Sequence, residues 1–213
     1  MRYVKLTLHT KIAFQENCCI VSFEQLLQGG LTMSKKAAAP TYSIWLMPDR
    51  KTAQYSELRD MISDLAAVFH TPRFEPHIAL VAGIDLPLEE CLAKALRVAG
   101  RLAPFEIRFG AFGSKQLFPQ ALYVGVEKTT EFLEACVNAS DVFGKMDGDS
   151  RYHLPLTYGD LTKAQSAVLL DEAKQHPCNP RDLDCIIWGL SVWKTPHAHV
   201  RNWEEVRYFP FTL

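Results

Sequence analysis

The sequence has few of the features that mark metal-finger proteins, disulfide frameworks or membrane proteins. Its 213 residues contain six cysteines, none of them in a CxxC pair. No stretch approaches the ~20 consecutive apolar residues that span a bilayer. The scattered cysteines are therefore expected to be reduced core residues of an intracellular, cytoplasmic protein. A bridge among four of them stays open at this point: Cys91, Cys136, Cys178 and Cys185.

The sequence also lacks an excess of charge of either sign. It has 23 Lys and Arg against 24 Asp and Glu, a formal net charge of −1. Such a balance creates no field for a long nucleic acid or an anionic membrane, which leaves a small phosphate ligand held by local groups. A glycine-rich phosphate loop is absent as well, because Gly29-Gly30 and residues 110–113 have the wrong length and no following Lys-Ser/Thr.

Residues 1–40 differ from the rest of the chain because they show no clear hydrophobic period. They contain Glu16 and Glu24 and a single arginine, Arg2, which is untypical of a transit peptide. They also lack the compact apolar core and cleavage site of a secretory signal. We interpret them as a loosely ordered N-terminal extension, with Met33 as an alternative start. Residues 41–213 then form one bilobal domain.

From Tyr42 onward the hydrophobic pattern is regular. The predicted helices cover 52–69, 87–98, 130–143 and 162–175, the last with Thr162 as N-cap. The predicted strands cover 42–47, 77–84, 105–112, 121–126, 153–158, 185–193 and 203–211. A βα-βα-ββ order thus occurs twice, which predicts an α+β fold of two similar lobes with antiparallel sheets.

Two histidines stand at equivalent places in this repeated order. His77 lies in PHIALV at 76–81, and His153 lies in YHLPLTYG at 152–159. Each opens a short apolar run that reads as a strand and follows a helical segment. If the two units pair about a pseudo-twofold axis, both imidazoles face one cleft. Two bases that titrate near neutrality suit acid/base chemistry there.

Several other polar residues could contribute, although each has a simpler structural interpretation. His197 and His199 have the spacing of two metal ligands, but no third ligand is apparent in the sequence. Arg73 and Arg151 precede the two histidines and could attract a phosphate, but such residues are more often solvated. The loop 194–201 is bordered by Trp193 and Lys194, which could touch a base or a phosphate.

The two histidine segments resemble the two-histidine phosphoesterase superfamily, and within it the cyclic phosphodiesterases of tRNA splicing. The most similar segments are FEPHIALV at 74–81 and HLPLTYGDL at 153–161. The framework is similar too, in SIWLMP at 43–48, LYVGV at 122–126 and LSVWKTP at 190–196. The resemblance covers residues 42–213. One such motif alone would be weak, whereas two in matching context form a fairly specific signal.

The resemblance implies a bilobal fold with a central cleft, no metal and no cofactor. The implied activity is hydrolysis of small cyclic phosphates, with His77 and His153 as the catalytic acid/base pair. Family substrates are ADP-ribose 1″,2″-cyclic phosphate and nucleoside 2′,3′-cyclic phosphates, the latter opened to 2′-phosphates. The expected partner is therefore this small molecule alone, and the protein is expected to be a monomer without nucleic-acid or membrane partners.

The chain departs from the family motif at the two positions that normally carry a hydroxyl. The family has Thr or Ser two residues after each histidine, whereas this chain has Ala79 and Pro155. Neither side chain can donate to a phosphate oxygen, which lowers the expected activity. Thr157 lies one pleat beyond Pro155 and is a candidate substitute. Tyr158 matches the family tyrosine that contacts the phosphate, yet strand alternation puts it on the face opposite His153 unless the strand bends.

Two further classes of function remain open. Ala79 and Pro155 would fit a degenerate, non-catalytic member that binds cyclic or terminal nucleotide phosphates. A sibling activity that trims or seals RNA ends fits less well, because the sequence has no basic track.

Overall fold

The computed structural model describes residues 41–144, 152–196 and 199–212. Within these ranges it has four α-helices and eight strands. The helices are α1 (Ala53–Val68), α2 (Leu88–Ala99), α3 (Thr130–Phe143) and α4 (Lys163–Gln175). The strands are β1 (Tyr42–Pro48), β2 (Ile78–Ile84), β3 (Phe105–Ile107), β4 (Phe109–Gly113), β5 (Leu122–Val126), β6 (His153–Thr157), β7 (Cys185–Lys194) and β8 (Glu204–Pro210). The predicted order of elements is confirmed. Residues 1–40, interpreted above as an extension, lie outside the described ranges.

The strands form two antiparallel sheets, as the α+β prediction requires. The larger sheet has the order β2-β1-β7-β3, with β8 also paired to β7, and the smaller has the order β4-β5-β6. Both halves of the chain contribute strands to both sheets. Strands β7 and β8 of the second half join β1 and β2, while β4 and β5 of the first half form a sheet with β6. Each sheet is therefore built from both halves of the chain.

Three of the four described helices, α1, α3 and α4, begin where a threonine side chain satisfies a free backbone N–H group. Thr52, Thr129 and Thr162 each accept a hydrogen bond from the backbone of the first turn. At α4 the Gln165 side chain also accepts from the Thr162 backbone, which completes a capping box. The predicted N-cap at Thr162 is confirmed. Helix α1 packs against β6 and α4, and α2 packs against α3 and β7.

The strand expected over residues 105–112 is divided into two strands. Phe105, Glu106 and Ile107 pair with β7 in the larger sheet, whereas Phe109 begins the strand that pairs with β5 in the smaller one. Arg108 separates them, and its side chain is exposed and bonded to Glu106. The alternation of apolar and polar residues does not reveal this break, because β3 and β4 differ only in the strands with which they pair.

One continuous apolar core extends through both sheets and the helices around them. The described cysteines belong to it as buried, unbridged thiols: Cys91, Cys136, Cys178 and Cys185. Burial raises the pKa of the Cys91 thiol to about 11, which keeps it protonated at neutral pH. None of the helices in the described part of the chain is both long and apolar enough to cross a membrane.

Candidate active site

His77 lies immediately before β2, at the point where the chain enters the larger sheet. The apolar side chains of Ile78 and Leu80 point into the core, so those of His77 and Ala79 face the other way. On that face Ala79 is paired across the ladder with Trp45 of β1. The two residues predicted to share a strand face therefore do so, next to a buried aromatic cluster.

Two hydrogen bonds fix the tautomer of His77. Its Nδ1 lies 2.7 Å from the backbone oxygen of Glu75, and its Nε2 lies 3.0 Å from the phenol oxygen of Tyr158. A carbonyl oxygen can only accept, so Nδ1 carries the proton. In the neutral ring Nε2 then carries a lone pair, which accepts a hydrogen bond from the Tyr158 hydroxyl. The Glu75 carboxylate is in turn bonded to the Tyr55 hydroxyl.

The imidazole of His77 is held inside a stack of aromatic rings. Trp45 covers one face at a centroid distance of 3.6 Å and an interplanar angle of 12°. The Tyr158 ring is nearly parallel to the imidazole, at a centroid distance of 6.1 Å and an angle of 8°, with its hydroxyl at the Nε2 edge, and Trp193 stacks on Trp45. Trp203 contacts both His77 and Tyr158 edge-on. The ring therefore has little rotational freedom.

This enclosure disfavours the charged form of His77, which is 0% exposed. Burial is the main cause that lowers its pKa, to about 3, although the bond to the Glu75 carbonyl opposes the shift and the nearby charge of His153 adds to it. At neutral pH the ring is therefore neutral. Burial also raises the pKa of Tyr158, so its hydroxyl stays a donor.

His153 is the first residue of β6 in the smaller sheet. Leu154 and Leu156 point into the core, and His153 faces the opposite side, as the alternation predicts. Its imidazole meets the ring of Tyr123 edge-on at 5.2 Å. Unlike His77, it is only half-buried, so it retains contact with solvent.

The two histidine strands come together, and Tyr158 is the clearest link between them. Strands β2 and β6 are in contact although they belong to different sheets. Strand β6 ends at Thr157, so Tyr158 escapes strict alternation and reaches His77 instead of His153. Tyr158 is therefore not held on the face opposite His153, where strand alternation alone would put it. The structure thus brings the two histidine strands, one from each sheet, into contact.

The two positions without the family hydroxyl lie where the pattern predicted. Ala79 packs on the aromatic cluster, and Pro155 is buried opposite Tyr123. Thr157 differs, because a register irregularity places it opposite Leu122, a core residue. It is 1% exposed, and its Oγ1 has no hydrogen-bond partner among the described residues. Its role as a substitute donor stays a prediction.

The other candidate residues are distributed differently. Trp193 lies within the ring stack, Arg73 is exposed near Phe74, and Lys194 is exposed at the end of β7. Arg151 and His197 lie outside the described residues. Among the residues that are described, no group of three His, Cys, Asp or Glu side chains converges as metal ligands would.

Sequence reasoning gave no role to several residues that surround His77. Glu75 positions Nδ1, while Trp45 and Trp203 enclose the ring. The alternation of β1 puts Trp45 on the face opposite Ile44 and Leu46, but only the register with β2 brings it onto His77. The approach of Trp203 depends on the path of the chain between β7 and β8.

Comparison with known structures agrees with this fold. The structure of E. coli LigT in complex with 3′-AMP matches with a TM-score of 0.53 at 12% identity, covering 82% of this chain and 99% of that one. The apo form of E. coli LigT matches with a TM-score of 0.55, also at 12% identity, covering 82% and 98% of the two chains. At this level of identity the likeness concerns the fold alone, which is that of the two-histidine phosphoesterases.

Sequence comparison adds the family. A 2′,3′-cyclic-nucleotide 3′-phosphodiesterase of Candida albicans is 31% identical over 101 residues, covering 40% of this chain and 41% of that protein. The match thus spans about two fifths of the length of this relative. The family described as cyclic phosphodiesterase-like protein matches residues 41–176, which include both histidine strands. The chain therefore belongs to the cyclic phosphodiesterase-like family.

Proposed function

We propose that the protein hydrolyses small cyclic phosphates without a metal, using His77 and His153 as the acid/base pair. The substrates are ADP-ribose 1″,2″-cyclic phosphate and nucleoside 2′,3′-cyclic phosphates, the latter opened to 2′-phosphates. The observation that carries the proposal is the meeting of the two histidine strands, with Tyr158 bonded to His77. Membership of a cyclic phosphodiesterase family supports the reaction class. A cytoplasmic role in tRNA splicing is part of the same proposal.

The tautomer of His77 supports the role of general base for this residue. Its Nδ1–H is committed to the Glu75 carbonyl, so only Nε2 can take up a proton. A neutral ring at neutral pH has that lone pair ready once the Tyr158 hydroxyl gives way to the attacking water. The half-buried His153 can exchange protons with solvent, which suits the general acid.

The bond changes then balance with these two side chains and one water. Water attacks phosphorus while its proton passes to Nε2 of His77. The bond between phosphorus and O3′ breaks, and His153 in its protonated form gives a proton to that oxygen. A 2′-phosphate and a free 3′-hydroxyl result. Each proton transfer is worth roughly 10²- to 10⁴-fold in rate.

The first prediction is the product. Purified protein should convert adenosine 2′,3′-cyclic phosphate into adenosine 2′-phosphate in the presence of EDTA, because the scheme uses no metal and breaks the bond to O3′. Phosphorus NMR or chromatography against both monophosphate standards distinguishes the 2′- from the 3′-isomer. A 3′-phosphate product, or complete inhibition by the chelator, would contradict the scheme.

A non-catalytic binding protein is the second candidate function, favoured by the apolar side chains at two positions. Ala79 and Pro155 occupy the motif sites without any hydroxyl. Calorimetry with adenosine 2′-phosphate separates the two functions. A binding protein would show saturable affinity for this nucleotide and no turnover of the cyclic one.

Restoring the hydroxyls provides the second prediction. Ala79→Thr and Pro155→Ser should each raise turnover about tenfold, or ~1.4 kcal/mol, since the new donor faces charge that develops on the phosphate. Initial rates with saturating adenosine 2′,3′-cyclic phosphate measure the gain. Ala79→Val and Pro155→Ala are matched controls, because they change shape in a similar way but add no hydroxyl.

Thr157→Val extends this experiment to the substitute donor. It should lower the activity of the natural sequence, and by less once serine stands at 155, because the two hydroxyls would serve one function. Unchanged rates in both restored variants would mean that other groups hold the phosphate. If the natural protein and the doubly restored variant are both inert, catalysis is abandoned in favour of binding.

A further inference from the structure

A cavity of about 490 Å³ lies beside the environment of His77. Its apolar wall consists of Trp45, Trp193, Trp203 and Phe74. Three of these also contact the His77 ring: Trp45 by stacking, and Phe74 and Trp203 edge-on. The cavity and the His77 imidazole therefore share three aromatic side chains and lie next to each other.

The polar rim of this cavity carries an excess of positive charge. It includes Arg59, Arg73 and Arg201 against Asp60 and Glu75. Asp60 pairs with Arg59 at 3.4 Å, and the Glu75 carboxylate is bonded to the Tyr55 hydroxyl. Both acids thus already have partners, Asp60 on the same rim, whereas Arg73 and Arg201 form no ion pair within the described part of the chain.

The two arginines also line a second cavity, of about 530 Å³, formed with the residues that follow α1. They therefore stand at the boundary between both cavities, where a ligand in the first one would reach them. Two guanidinium groups without carboxylate partners create a strong preference for a phosphate ligand, because each can form paired, charge-assisted hydrogen bonds with phosphate oxygens.

We infer that this cavity binds a second phosphate group of the substrate, held by Arg73 and Arg201. The inference rests on the proposed function, because it assumes that the cyclic phosphate occupies the site of His77 and His153. The protein then prefers nucleoside cyclic phosphates that carry a further phosphate over those that carry none. Arg73 and Arg201 determine this specificity.

Two substrates that differ by one phosphate test the inference. They are adenosine 2′,3′-cyclic phosphate and its 5′-phosphorylated form. The ratio of their kcat/KM values should favour the 5′-phosphorylated substrate by about tenfold, the scale of one or two hydrogen bonds between charged groups. Arg73→Met and Arg201→Met should each bring this ratio toward one, mainly through KM, because the contact is made in both ground and transition states.

Arg101→Met is the matched control. Arg101 is also exposed and without an ion pair among the described residues, but it lies outside both cavities. In the Arg101→Met variant the ratio of the two kcat/KM values should equal that of the natural protein. A ratio near one in the natural protein, or a ratio unchanged in both Arg73→Met and Arg201→Met, overturns the inference and identifies the two arginines as solvated surface charges.

A binding measurement distinguishes failure of this inference from failure of the proposed function. Calorimetry compares adenosine 2′,5′-bisphosphate with adenosine 2′-phosphate on the natural protein and on the two arginine variants. If neither cyclic substrate is turned over but the bisphosphate binds about tenfold tighter through the arginines, the phosphate site stands and the catalytic proposal fails. If both cyclic substrates are turned over equally and both nucleotides bind with equal affinity, the catalytic proposal stands and the phosphate site fails.

Discussion

His77→Ala and His153→Ala are each expected to lower kcat/KM for adenosine 2′,3′-cyclic phosphate by roughly 10²- to 10⁴-fold, the range of one lost proton transfer. Each histidine is proposed to perform a different transfer in the same reaction. The double variant should be little worse than either single one, because groups that act as a unit are not additive. Initial rates with purified variants provide the measurement.

Controls are needed because His77 is part of the aromatic stack. His77→Asn keeps an amide donor near the position of Nδ1, and so can still bond the Glu75 carbonyl without providing a base. His70→Asn serves as the matched control at an exposed histidine. Its backbone has φ of 54°, a conformation that asparagine tolerates. Activity within tenfold of the natural protein in both alanine variants would rule out the acid/base pair.

Stability should fall as the pH is lowered from 7 to 5, and His77 should account for about 2 kcal/mol of that fall. The pKa of His77 is about 3 in the folded protein, and ~6.5 is usual in an unfolded chain. Between these values the unfolded chain binds a proton that the folded protein does not. The contribution is therefore complete above pH ~6.5 and is lost as the pH falls toward 3.

Urea unfolding at several pH values between 5 and 7 measures this effect. Burial acts to raise the pKa of Glu205, but hydrogen bonds from Arg50 and Ser191 hold it below its usual value, so Glu205 stays ionised in this window. His77→Asn should remove about 2 kcal/mol of the pH dependence, whereas His70→Asn should keep it. An identical pH profile in the natural protein and His77→Asn would show that His77 is not held neutral by burial.

The order of helices and strands could be read from the sequence because it depends on local periodicity. The predicted helix 130–143 has the same bounds as α3, and the bounds of the other helices differ by at most one residue at each end. Threonine caps and apolar spacing act within one or two turns of chain. The division at Arg108 could not be read in this way, because β3 and β4 differ only in the distant strands with which they pair.

The candidate site could be predicted in part for the same reason. His77 and Ala79 share a face, as do His153 and Pro155, because a strand alternates its side chains whatever its partners are. The place of Tyr158 required the fold, since the end of β6 releases it from alternation and turns it toward a histidine 81 residues earlier.

The two histidine strands, the helices before them and the absence of both motif hydroxyls could all be predicted from local sequence. The surroundings of His77 depend on the fold: the stacked Trp45, the bond from Tyr158 and the cavity that Arg73 shares with Arg201. The reason is that proton affinity and ligand preference depend on burial and on neighbouring charges. Those neighbours come from β1, from the end of β6 and from the segment before β8, which the exchange of strands between the two sheets brings together.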